Sequence, residues 1–293
     1  MTNHAYDLFS TSSMPHTRKL IINAALTGNL HQRSDNPAVP YLPEEIVDDA
    51  RRCYLAGASM FHIHARDGTG KPSCQKEHYA EIVAGIRKRC PDSIVCLTTS
   101  GRVFKTFEQR TAVLSLEGEL KPDFASLSLG SMNFPNTESV NSPQMIEKLA
   151  VMMDRRGIRP ELEVFETGMI NYGRFLLKKG ILKAPLFFNL FHGILGTMPG
   201  RMVDLCHMAG ALPDGSEWGA AGGGRFQLPI NVSAMLMGGH VRTGIEDNIW
   251  MDHDKKTPAT NELLVKRIAR IATEIGRPVA SPKEAREILG LKK

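Results

Sequence analysis

Long apolar runs are missing from this 293-residue chain. None approaches the roughly 20 residues that a membrane-crossing helix requires, so no transmembrane segment is expected. Residues 1–17 are polar, with scattered Ser, Thr and His and no apolar h-region. They read as part of a flexible N-terminal segment, 1–18, and not as a secretory signal. Cysteine is sparse and unpatterned. Cys53, Cys74, Cys90, Cys96 and Cys206 form no CxxC pair, which argues against a disulfide framework and fits reduced thiols in the cytoplasm. Aromatics make up only 6% of the chain, and no Lys/Arg run accompanies the net charge of +5, so nucleic acid is not an expected partner. A mild positive balance suits anionic small molecules better. Also lacking is a GxGxxG after the first strand, and Gly68-Thr69-Gly70-Lys71 has the wrong glycine spacing for a P-loop.

What is present is an ordinary enzyme composition, 42% hydrophobic and 23% charged, on a chain long enough for one large α/β domain. Short β-like runs alternate with helical faces eight times. Residues 19–25 form a first strand, and a helix follows with Pro43 in its first turn and Ile46, Val47, Ala50 and Tyr54 on one face. The second strand carries Phe61 to Gly68. Ser73 is the expected N-cap of the next helix, whose face is Tyr79, Ile82, Val83 and Ile86. Further strands are expected at 94–99, 124–130, 161–166, 186–191, 217–221 and 240–246. Helices are expected at 106–116, 143–156, 169–179, 199–210, 229–237 and 262–275, with Met145, Leu149 and Met152-Met153 on the buried side of the 143–156 helix. Eight strand-helix units predict an α/β fold, a single-domain (β/α)8 TIM barrel over 19–293. A doubly wound sheet is the alternative. The tail, 280–291, reads as one more short helix and an oligomer contact.

His62 and His64 lie two apart, so on a strand both imidazoles and Arg66 face the same way. Asp67-Gly68 adds turn chemistry, which puts this face at the strand's end. Two such imidazoles supply two of the three protein ligands of a catalytic zinc site, or else form a satisfied pair at a barrel mouth. In a barrel of this class the active site lies at the C-terminal strand ends. That rule picks out Asn29, then His62, His64 and Arg66, then Thr98 and Ser100, with Ser126 and Ser128 from the fourth strand. Glu163 and Glu166, Asn189 and His192, Arg225, and Arg242, Glu246 and Asp247 follow from strands five to eight. Strand eight closes against strand one, so Glu246 is the best-placed third ligand, four residues past Arg242 on the same face. The alternative is a salt bridge from Arg242 to Glu246 or Asp247 that closes the barrel. His31 and His253 lie in loops near the mouth. His240 is at the wrong end and reads as structural. The backbone amides of Gly222-Gly223-Gly224-Arg225 can approach a phosphate or thioester.

Asn23-Ala24-Ala25-Leu26-Thr27-Gly28, the HIHARDGTGKPS block from His62 to Ser73, and Arg242-Thr243-Gly244-Ile245-Glu246-Asp247-Asn248 together resemble the β-keto acid cleavage enzyme family. The similarity runs from about residue 19 to the C-terminus and includes Glu163-Val164-Phe165-Glu166-Thr167-Gly168-Met169 and Ile275-Gly276-Arg277-Pro278. It implies a zinc-dependent (β/α)8 acyltransferase that condenses a β-keto acid with acetyl-CoA and cleaves the adduct to acetoacetate and a new acyl-CoA. By position, His62, His64 and Glu246 would hold Zn2+, Arg242 and Asp247 would be catalytic, and Thr98, Ser126 and Ser128 would contact the keto acid. Asn29, Leu30, Arg66, Ser100, Glu166 and Arg225 complete the expected substrate-binding set. The amine-substrate branch of the family has an acid where this chain has Leu30, which argues against an amino-keto substrate. The expected partners are the keto acid and acetyl-CoA, with no membrane, in a homo-oligomer such as a tetramer. No Ser-His-Asp or Cys-His arrangement is evident, which fits direct attack of an enolate on a thioester. A metal-dependent retro-aldol or retro-Claisen lyase or hydrolase acting without CoA is the alternative activity, and a non-catalytic binding protein is a third.

Overall fold

In the computed structural model, residues 18–291 are described. The segment expected to be flexible, 1–18, lies outside them but for Arg18. Eight parallel strands close into a barrel in sequence order: β1 (Ile22–Ala25), β2 (Met60–Ile63), β3 (Ile94–Leu97), β4 (Phe124–Ser128), β5 (Arg159–Val164), β6 (Phe187–His192), β7 (Glu217–Gly222) and β8 (His240–Thr243). Each is followed by a helix: α1 (Pro43–Leu55), α2 (Lys76–Arg89), α3 (Phe107–Thr111), α4 (Pro143–Arg156), α5 (Thr167–Lys178), α6 (Met202–Gly210), α7 (Gln227–Leu236) and α8 (Asn261–Glu274). Closure excludes the doubly wound sheet. At the seam β1 pairs with both neighbours, Ala25 beside His62 and Asn23 beside Arg242. No helix among the described residues is long and apolar enough to cross a membrane.

Strand alternation sorts the side chains into two environments. The outward set, including Ile22, Ala24, Phe61, Ile63, Val95, Leu97, Leu127 and Leu162, packs with Ile46, Ala50, Ile82, Ile86, Leu149 and Ile170 of the helices in one continuous core. Each large side chain buried this way contributes about 1.5–3 kcal/mol. The inward set changes character up the barrel. At the bottom Ile21, Met60, Ile94, Phe124 and Phe187 are apolar. Above them come Asn23, His62, Cys96, Ser126, Glu161 and Asn189, all buried and nearly all polar. An interior that turns polar towards the C-terminal strand ends is a site, because burying so many polar groups has no packing benefit.

The tail forms α9 (Pro282–Ile288), begun by a capping box between Ser281 and Glu284. Its Ala285 and the following Leu289 pack on the apolar bottom layer, and Arg286 pairs with Asp123 at 2.8 Å. One face of the tail is therefore buried on its own barrel. Some boundaries differ from expectation. β2 ends at Ile63, and Ala65–Arg66 pairs antiparallel with Pro72–Ser73 in a small hairpin. The N-cap of α2 is Gln75 and not Ser73, whose Oγ instead accepts from the Gln75 amide and partners His78 Nδ1 at 2.8 Å. The expected 106–116 helix is one short turn running into a 3-10 turn at Ala112–Ser115. On α4 the buried residues are Ile146, Leu149, Ala150 and Met153, so of the methionines picked out there only Met153 is fully core.

Candidate active site

The site is assembled where β8 passes over β1. Gly244 has φ +154°, and a Cβ there would stand 2.0 Å from the Ala25 carbonyl oxygen, so only glycine lets the chain lie this close. Beyond it, the Glu246 amide donates to Ala25 O at 3.3 Å. Gly28, at φ +63°, clears space on the other side, since a Cβ there would meet Glu246 Cγ at 2.6 Å. Asn261, first residue of α8, locks the crossing. It donates to Leu26 O at 2.8 Å and Asp49 Oδ2 at 2.6 Å, and it accepts from the Ile245 amide at 2.8 Å. Gln227 holds the Gly244 carbonyl at 2.9 Å.

Glu246 is thereby delivered against the histidine pair. His62 Nε2 and His64 Nε2 are 3.3 Å apart, Glu246 Oε1 is 3.3 Å from His64 Nε2, and it is 4.0 Å from His62 Nε2. Ligands about 2.0–2.1 Å from a tetrahedral zinc stand about 3.3 Å from one another, so the three atoms have the spacing of a His₂Glu set. Glu246 Oε2 is buried without a hydrogen-bond partner among the described residues, as a carboxylate awaiting a cation would be. The donor set thus fits the metal.

Beneath the triad lies a carboxylate that the motifs did not single out. Glu161 is fully buried and accepts from four groups: Asn23 Nδ2 at 2.9 Å, Asn189 Nδ2 at 3.1 Å, His62 Nδ1 at 3.0 Å and Cys96 Sγ at 3.1 Å. Burial pushes its acidity down, but the His62 hydrogen bond, the Arg242 charge and the Cys96 thiol outweigh this and hold its pKa below the usual carboxylate range. A carboxylate can only accept, so His62 carries its proton on Nδ1 and turns a bare Nε2 lone pair towards His64 and Glu246. His62, Cys96 and Glu161 also lie close enough together to ligate an ion. Both Glu161 oxygens are already saturated, however, and burial pushes the Cys96 thiol well up, which leaves the His62–His64–Glu246 set as the open one. Glu161 was legible by parity: it lies two before Glu163 on one strand, and therefore on the same face.

Arg242 is 2% exposed and grips two carboxylates. Its Nε donates to Asp247 Oδ2 at 2.9 Å, and its Nη2 to Asp247 Oδ1 at 3.2 Å and Glu246 Oε1 at 2.7 Å. Its guanidinium carbon sits 4.9 Å from the Phe191 ring centroid. Burial pushes the Asp247 pKa up despite Arg242, whereas the charge of Arg242, with the two imidazoles alongside, overcomes burial to hold Glu246 well below its ordinary value. Two adjacent carboxylates are thus driven apart in acidity, one suited to proton transfer and one to cation binding. The salt bridge considered from sequence exists, and it sits inside the site.

A cavity of about 890 Å³ opens above these groups. His64, Glu246, Arg242 and Asp247 line it, as do Asn29, Leu30, Thr98, Ser100, Ser128 and Arg225 of the expected substrate set, and the loop histidines His31 and His253. Glu163 lines it too, accepting from Ser128 Oγ at 2.8 Å. Three of the expected substrate residues are not among its lining. Arg66 leaves the histidine face once β2 ends and donates to Thr27 O, Gly28 O and Gly70 O, bracing the β1 loop. Ser126 Oγ accepts from the Thr99 amide at 3.2 Å in the barrel interior. Glu166 caps α5 through the Gly168 amide at 2.7 Å. His240, at the lower end of β8, accepts from the Ile21 amide through Nδ1 at 3.1 Å. One lining residue, Arg102, belongs to no motif and carried no sequence signal.

A family model described as beta-keto acid cleavage enzyme matches residues 19–291. Similar proteins include the 3-keto-5-aminohexanoate cleavage enzymes of Fusobacterium nucleatum subsp. nucleatum (41% identical over 94% of this chain and 99% of that one) and Acetoanaerobium sticklandii (42%, with 94% and 99% covered). The 3-oxoadipate:acetyl-CoA acetyltransferase of Cupriavidus necator is 36% identical, covering 94% of this chain and 96% of its own. Among solved structures, apo ObcA superposes with a TM-score of 0.77 at 20% identity, over 87% of this chain and 66% of that longer one, a likeness of fold alone.

Proposed function

The chain belongs to the β-keto acid cleavage enzyme family, and from that premise we propose that it joins a β-keto acid to acetyl-CoA and releases acetoacetate with a new acyl-CoA. The observation that carries this is the His62–His64–Glu246 set, spaced 3.3, 3.3 and 4.0 Å, whose His64 and Glu246 line one cavity together with the Arg242–Asp247 pair. The names of the relatives support acetyl-CoA as co-substrate: one is an acetyl-CoA acetyltransferase and another a 3,5-dioxohexanoate:acetyl-CoA acetone transferase. We assign the whole of 19–293 to one catalytic domain.

His62, His64 and Glu246 would hold a zinc ion. When bound it would act as a Lewis acid towards the keto acid's oxygens and acidify the carbon between ketone and carboxylate. Asp247 then takes a proton from that carbon, its basicity raised by burial and its direction fixed by the two-point grip of Arg242. The carbanion attacks the acetyl carbonyl of acetyl-CoA, and the CoA thiolate departs. The thiolate returns to the original ketone carbonyl, the bond between that carbon and the former nucleophilic carbon breaks with its electron pair on the latter, and Asp247 gives its proton back to that carbon, so that acetoacetate and the new thioester result. Arg242 remains beside the developing negative charge throughout. Thr98, Ser100 and Ser128 offer hydroxyls to the keto acid, and Asn29 an amide. Arg225 and the adjoining glycine amides at the rim suit the CoA phosphates.

The test is turnover of a β-keto acid panel by purified protein, with acetoacetate and acyl-CoA measured. Product is expected only with acetyl-CoA, and Asp247→Asn should lower kcat by about 10²–10⁴-fold. Cleavage that proceeds without acetyl-CoA would overturn the acyl transfer. Metal analysis is the second arm: His62→Ala, His64→Ala and Glu246→Ala should each lose zinc, and full zinc content in any one refutes that ligand. Five free cysteines support a reducing, cytoplasmic setting. Exposed apolar side chains, Met202 and Val203 on α6 and Leu236 at the end of α7, support a homo-oligomer. Light scattering should return a multiple of 32.3 kDa.

A further inference from the structure

Arg102 follows Ser100-Gly101 in the third strand-helix loop, and the proposed reaction leaves it unused. Its guanidinium is half-buried in the cavity wall, 4.1 Å from the Phe134 ring centroid, and its own amide donates to Ser100 Oγ at 3.3 Å. Among the described residues no carboxylate pairs with it. Its neighbours in the site are treated differently, since Arg242 holds both Asp247 and Glu246. Arg225, the other arginine of the lining, stands exposed at the rim in water. A half-buried guanidinium without a carboxylate partner has lost solvation that an anion can return. Burial lowers its pKa, and the attraction of Glu246 opposes that, which puts Arg102 within electrostatic reach of the metal set. His31 senses both charges as well.

Two further residues of the wall agree. Leu30, 49% exposed, lines the same cavity and gives an ammonium group nothing to pair with. Phe134 stacks on Arg102 and offers its ring to methylene groups. The geometry points to Arg102 as the receptor for a second, distal carboxylate of the keto acid, so that the preferred substrate is a 3-oxo dicarboxylate and not an amino or neutral keto acid. This rests on the acyl-transfer reading above, in which the first carboxylate and the ketone belong to the triad. It departs from the amino-keto substrate in the names of the two relatives at 41–42% identity.

The test uses zinc-loaded protein with acetyl-CoA and three keto acids: 3-oxoadipate, 3-oxohexanoate and 3-keto-5-aminohexanoate. The diacid is expected to have the highest kcat/KM, roughly 10–100-fold above 3-oxohexanoate, the worth of one charge-assisted hydrogen-bonded pair. Arg102→Met should collapse that ratio towards unity, chiefly through KM for the diacid. A rise in the acetyl-CoA KM shared by all three keto acids would assign Arg102 to CoA and overturn the proposal, as would a wild-type preference for the amino or neutral acid. If no keto acid is turned over, the acyl-transfer reading falls, and calorimetry still decides the present one. Tighter wild-type binding of the diacid than of 3-oxohexanoate, lost in Arg102→Met, supports it, and equal affinities overturn it.

Discussion

Glu161 gathers four donors and hands one well-defined lone pair to the site, through His62. Its replacement by Gln keeps the volume but lets the side chain present a donor where His62 Nδ1–H needs an acceptor. Glu161→Gln is therefore expected to weaken zinc binding by about 10–100-fold, measured by competition with a chelator, while the far-UV circular dichroism stays native. Unchanged affinity would remove Glu161 from the machinery. Gly244 makes a sharper case. A methyl group there meets the Ala25 carbonyl at 2.0 Å, so Gly244→Ala must push β8 off β1 and carry Glu246 away from the histidines. Loss of zinc retention and about 1–3 kcal/mol of stability are expected together. These residues differ in how readable they were. The HxH pair and the RxGxED stretch stood out by type and spacing, and Leu30 only through the family resemblance. Glu161 needed only strand parity. Arg102 sits in a loop, where no periodicity says which way a side chain turns.

At the scale of elements, the β1–β8 seam is where pH acts. His240 accepts from the Ile21 amide through Nδ1, so its own proton sits on Nε2, on the side of Glu217. Burial lowers its folded pKa, Glu217 opposes that, and Arg277 and Arg18 add to the lowering. A base whose folded pKa is depressed gives its full stability above the unfolded value of about 6.5 and loses it as pH falls through the folded one. Thermal stability should thus decline from about pH 7 to pH 5, and His240→Gln, which accepts from Ile21 without titrating, should show a shallower decline. An identical slope in both proteins would clear His240 of the effect. The tail is a second element with a local job. Leu289 is 1% exposed against the bottom layer, so Leu289→Ala should cost about 2–5 kcal/mol in denaturant unfolding and leave zinc content intact. Sequence periodicity found this helix but not its destination, because a short amphipathic face fits its own barrel or a second subunit equally well.

For the molecule as a whole, strand-helix alternation was enough to read a closed barrel, and the rule that such barrels work at their C-terminal ends put most of the expected residues around one cavity. Three of the exceptions have a common cause. Arg66, Ser126 and Glu166 were assigned by extending strand geometry into places where hydrogen bonding takes over: a hairpin that ends β2 early, an amide that claims a hydroxyl, a helix N-terminus that claims an acid. Local polar satisfaction is a tertiary matter, and periodicity does not contain it.

The seating of α9 in the lower end of the barrel has a kinetic meaning. With that end filled, the keto acid and acetyl-CoA must come and go by the same mouth, and the triad lies at its floor. The smaller substrate has to be in place before the larger one covers it, and the new acyl-CoA has to leave before acetoacetate can follow. Initial rates with both substrates varied should therefore intersect, acetoacetate should compete with the keto acid, and the traffic should be single-file.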